Sequence, residues 1–157
     1  MALIFSELTP EEQVTAIFVG YYDRAPAVPG LNAYVADFAA GQTPADVARS
    51  FVMQDETLDL YPSLAEDEIT EDDAIALVTN IFNNLFNRDP SNIGPDNFWV
   101  NKLLTEEGVE VGQIILDIMS GAQDDDLAIL QNKIDVGVAY VEAAIAAGED
   151  GTGDLKD

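Results

Sequence analysis

The chain has 157 residues, 30 acidic and six basic, for a formal net charge of −24. It contains no cysteine and no histidine, which excludes disulfides, zinc sites with thiolate or imidazole ligands, and every mechanism that needs an imidazole base. So acidic a surface repels phosphate backbones and anionic lipid, so neither nucleic acid nor bare membrane is an expected partner, yet 48% apolar residues suffice for a sizeable single core.

The first residues, MALIFSELTPEE, lack the basic start and apolar stretch of a secretory leader, and no apolar run is long enough for a transmembrane helix. Thr9-Pro10-Glu11-Glu12 combines an N-cap, a proline at the first helical position and a capping-box glutamate. Val14, Ile17, Phe18, Tyr21 and Tyr22 then form one helical stripe that ends near Asp23, ahead of Pro26. A short helix follows with Leu31, Tyr34, Val35 and Phe38, stopping at Gly41. Thr43-Pro44-Ala45-Asp46 opens a third, with Val47, Phe51 and Val52 facing inward. Residues 55–69 read as acidic and irregular, broken by Pro62.

Thr70-Glu71-Asp72-Asp73 opens the next helix, whose stripe is Ile75, Val78, Phe82, Leu85 and Phe86. Pro95 is expected to begin a short helix bearing Phe98 and Trp99. Another carries Val111, Ile114, Ile115, Ile118 and Met119 and stops near Gly121. The longest predicted helix spans 124–147, with Leu127, Leu130, Ile134, Val138, Val141 and Ile145 on one face and Gly148 beyond its end. Residues 149–157 read as an acidic, glycine-rich linker or tail. No window alternates with period two, so the expected fold class is all-α.

Two stretches resemble each other: YYDRAPAVPGLNAYV at 21–35 and LFNRDPSNIGPDNFWV at 85–100. The register is 64 at Val14/Val78, Phe18/Phe82 and Arg24/Arg88, and 65 at Asn32/Asn97 and Tyr34/Trp99. This predicts two tandem three-helix repeats, 9–62 and 70–121, sharing one core in a single domain of residues 1–148 and closed by the long helix. Arg24 and Arg88 sit just past a helix C-terminus, where unpaired carbonyls carry partial negative charge. Two roles follow: a structural clamp on those carbonyls, or a surface contact for an anion or sugar acid.

The pattern of an aromatic, one residue, Arg-x-Pro, a Pro/Gly turn, then LNAYV or DNFWV resembles a helical repeat domain of unknown function from secreted bacterial proteins. The likeness covers most of residues 13–120 and is similar, more distantly, to the helical linker domains of phycobilisomes. Asp23 and Asn87 stand where that family usually has glycine, and Tyr34 where it usually has tryptophan. The resemblance implies an N-terminal module of an extracellular or cell-surface protein, of the kind that accompanies RTX repeats, S-layer proteins and adhesins exported by type I secretion. Similar helical regions anchor S-layer lattices to lipopolysaccharide. The implied partners are therefore cell-surface polysaccharide or neighbouring protein subunits, homo-oligomers included.

Acidic clusters at Glu66-Asp67-Glu68, at Asp124, Asp125 and Asp126, and at Asp150 with Asp154 suit calcium, although none has the spacing of an EF-hand loop. No cofactor is required. The Asp124–Asp126 run equally suits the first turn of a helix. Ser50, Ser63, Ser91 and Ser120 lack a nucleophile-elbow context, so the chain reads as non-enzymatic. The helical aromatics are expected in the core, with Tyr61 and Tyr140 nearer the surface. The alternative function is a cytoplasmic adaptor whose acidic face docks a basic protein.

Overall fold

The computed structural model describes residues 4–66, 68–105 and 110–148. Its helices are α1 (Pro10–Tyr22), α2 (Val28–Ala39), α3 (Pro44–Val52), α4 (Asp55–Leu60), α5 (Glu71–Phe86), α6 (Phe98–Thr105), α7 (Val111–Ser120) and α8 (Asp124–Ala146). Single 3₁₀ turns lie at Phe5–Glu7 and Pro62–Ala65, and there is no strand among the described residues. The fold is all-α, as the sequence predicts. No described helix is long and apolar enough to cross a membrane.

Local chemistry sets the helix starts. The Thr9 hydroxyl accepts from the Glu12 amide while the Glu12 carboxylate accepts from the Thr9 amide, and Thr43 and Asp46 repeat that capping box. At α5, Thr70 accepts from the Asp73 amide, but the Asp73 carboxylate turns away to accept from the backbone amide of Ser63. That bond fastens the Pro62 turn to α5. Residues 55–69, expected to be irregular, thus hold a short helix and a 3₁₀ turn. The start of α6 also differs: Asn97, not Pro95, makes the cap, its Oδ1 accepting from the amides of Trp99 and Val100.

Surface helices bury one stripe. In α1, by contrast, every residue from Gln13 to Tyr21 is buried. α8, α5 and α2 pack around it, with α3 and α7 closing over one end. Its polar side chains are satisfied internally: Gln13 Nε2 donates to the Leu8 carbonyl and the Thr15 hydroxyl to the Glu11 carbonyl. Glycines set the closest approaches. A Cβ on Gly137 of α8 would stand 2.5 Å from Thr15 Cγ2. On Gly112 of α7 it would stand 2.7 Å from the backbone nitrogen of Arg49 and 2.9 Å from the Ala48 carbonyl carbon.

The tyrosines extend the core through hydroxyl contacts. Tyr21 donates to the Ala48 carbonyl at 2.9 Å. The Tyr22 hydroxyl lies 2.7 Å from Thr57 Oγ1, which itself donates to the Phe51 carbonyl. Tyr61, expected near the surface, is only 1% exposed. The α4 segment carries it under the domain, where Asn80 donates to its hydroxyl at 2.8 Å. Tyr140 is 64% exposed, as expected.

Two predictions follow from this packing. Gly112→Ala must push backbone against backbone between α3 and α7. It is expected to cost about 1–3 kcal/mol, read as a lower thermal midpoint, whereas Gly121→Ala, whose Cβ would come no nearer than 3.5 Å to a neighbour, should cost less. Burial also raises the phenol pKa of Tyr21, Tyr34 and Tyr61, and pushes Tyr22 up to about 12 from its ordinary 10.0. The folded state therefore favours the neutral phenol. That stability is fully present below pH 10 and is lost as pH rises toward 12. Tyrosinate absorbance of these four should appear together with loss of helical circular dichroism, not before it.

Candidate functional site

The two Arg-Pro turns share one geometry. α1 ends at Asp23 and α5 at Asn87, both left-handed, with φ of 54° and 59°. Only residues that tolerate that region, such as glycine, asparagine and aspartate, fit there. Each turn then lays an arginine back over two rings one helical turn apart. The Arg24 guanidinium carbon is 5.5 Å from the Phe18 ring centre and 5.2 Å from that of Tyr22. The Arg88 carbon is 5.2 Å from Phe82 and 6.0 Å from Phe86. Both are within cation–π range.

The hydrogen bonds correct the expected clamp. Neither arginine donates to the carbonyls at the end of its own helix. Arg24 Nη2 donates to Glu56 Oε2 at 2.7 Å, on α4. Arg88 Nε and Nη2 grip both oxygens of Asp126 on α8, at 2.9 and 2.7 Å, and Nη1 donates to the Asp89 carbonyl at 3.1 Å. This fork holds the Arg88 guanidinium above its usual pKa. The helix-end contact belongs to Lys133 of α8. Its Nζ donates to the Asn84 carbonyl near the end of α5 and lies 3.4 Å from the Asp23 carboxylate at the end of α1. Asn84 Nδ2 in turn donates to the Gly20 carbonyl at 2.9 Å.

Of the acidic candidates, Asp124, Asp125 and Asp126 occupy the first turn of α8, and Asp126 is held by Arg88. Asp150 and Asp154 lie outside the described residues, as does Asp67. Among the described residues no three acidic side chains converge as metal ligands would.

Recesses lined by described residues border the turns. A groove of about 480 Å³ runs between the α1–α2 turn and α8, floored by Val19 and Gly137 and flanked by Arg24, Lys133 and Tyr140. A recess of about 110 Å³ lies at Arg24, against Phe18, Tyr34 and Phe51. One of about 290 Å³ lies at Arg88, against Phe82, Phe98 and Trp99. Phe98 is 65% exposed and meets Trp99 edge-on at 4.8 Å. The sequence offered no sign of this, because a single outward phenylalanine in a short helix leaves no periodic trace.

Arg88→Lys keeps the charge but loses the fork and the ring contact. Its expected cost is about 1 kcal/mol in urea unfolding, with the pair exposed enough for salt to weaken it. Arg24→Lys, which breaks a single-contact pair, should cost less. Compared with known proteins, the chain matches no family model, no curated protein and no solved structure, so its function is read from this geometry.

Proposed function

We propose that the chain is a single domain of two tandem three-helix units, α1–α3 and α5–α7. Each leads into a further helix, the short α4 and the long closing α8. Its role is to bind rather than to transform: a module of a secreted or cell-surface bacterial protein that anchors or assembles it through polysaccharide or neighbouring subunits. The observation that carries this reading is the pair of matched arginine turns 64 residues apart, one narrowed by packed aromatic rings and the other bordered by an exposed ring. Four groups that could serve in chemistry are committed to the fold. Tyr21 and Tyr61 are buried in structural hydrogen bonds, and the arginines are engaged by carboxylates. Calcium would bridge the acidic surface to anionic sugars without a dedicated cage.

A second reading is supported by the −24 charge itself, which suits an intracellular adaptor for a basic protein. Deleting residues 1–148 in the producing cell separates the two. Loss of the protein from the cell-surface fraction is expected. Unchanged surface retention, or an exclusively cytosolic location of the intact protein, overturns the anchoring reading.

A further inference from the structure

We propose that the recess at Arg88 is a saccharide-binding site, taking a neutral pyranose with one apolar face. The inference rests on the binding-module reading above and names its ligand class. Phe82, Phe98 and Trp99 form the apolar side of the recess. Ser91, Asn92 and Asp96 form the polar side, and their side chains make no hydrogen bond among the described residues. The molecule carries its own control. At the Arg24 turn the corresponding space is narrowed to about 110 Å³ by Phe51 of α3, which stacks on Tyr34 at 4.6 Å and meets Phe18 edge-on at 4.9 Å. The segment Val111–Ser120 of α7 supplies no aromatic side chain, and the recess at Arg88 stays open at about 290 Å³, near the lower end for small-molecule sites.

The polar groups select the ligand. Asp96 and the net charge of −24 oppose an anion. Arg88, lying across Phe82 within the same recess, opposes a cation. What remains is a ligand that both donates and accepts without charge. A hydroxyl, an amide and a carboxylate beside an exposed ring suit sugar hydroxyls above a face of C–H bonds.

Trp99 is the only tryptophan in the chain and lines this recess, so its fluorescence can follow binding there. The purified chain is titrated with neutral oligosaccharides of glucose, mannose and galactose, with polygalacturonate, and with choline. A saturable change with at least one neutral oligosaccharide is expected. Phe98→Ala should weaken it about tenfold with little change in melting, since Phe98 is exposed. Tyr34→Phe, at the narrower Arg24 turn, should leave it unaltered. The proposal is overturned by no response to any neutral sugar, by a response confined to polygalacturonate or choline, or by one that Phe98→Ala leaves intact. Its failure is distinguishable from that of the module reading. A silent Trp99 combined with lost surface retention on deleting residues 1–148 removes the sugar and leaves the module.

Discussion

Everything in this fold answers to the enclosure of α1. A helix buried on every side cannot be stabilised by one partner. It needs a wall on each face, and α2, α5 and α8 supply three of them while α3 and α7 close one end. The requirement explains why the helix alternates large and small residues: Ile17 and Phe18 fill space, while Ala16 and Gly20 admit neighbours. A Cβ on Gly20 would stand 2.5 Å from Ile115 Cδ1, so the tip of that α7 side chain occupies the space left by the glycine.

The electrostatics follow the same plan. Six basic residues cannot neutralise 30 acidic ones, and each of the five among the described residues is paired with a carboxylate. Arg24 and Arg88 tie a helix end to the start of a later helix, across rings that shield part of the guanidinium from water. Lys133 reaches from α8 to two helix ends at once, and its largely buried stem makes this contact less open to screening than the arginine pairs. Most other carboxylates among the described residues are exposed and set the character of the surface.

Much of the helical framework was legible in the sequence because capping is local chemistry. Thr9, Thr43 and Thr70 each announce a helix within three residues of its start, and Asp23 and Asn87 mark where two of them stop. The segment around α4 was not legible. Six residues with three carboxylates show no apolar period, and the helix exists because Tyr61 and Thr57 are drawn into the core from its far side. The partners of Arg24 and Arg88 were hidden for a related reason. Helix-end carbonyls are predictable from position, whereas Glu56 and Asp126 come within reach only through tertiary packing. Trp99 was expected among core aromatics and does pack against the core, half-buried, while also bordering the open recess with Phe98.

The contact between α1 and α8 also bears on the order in which the protein can be made. The first helix leaves the ribosome early, yet the wall that covers its Thr15 side belongs to Gly137, more than a hundred residues later. Until that segment arrives, α2 and α5 can wall α1 on two faces, but its Thr15 side has no cover. The last wall of the core is thus the last to be synthesised, and a nascent chain halted before α8 holds its central helix with one face open.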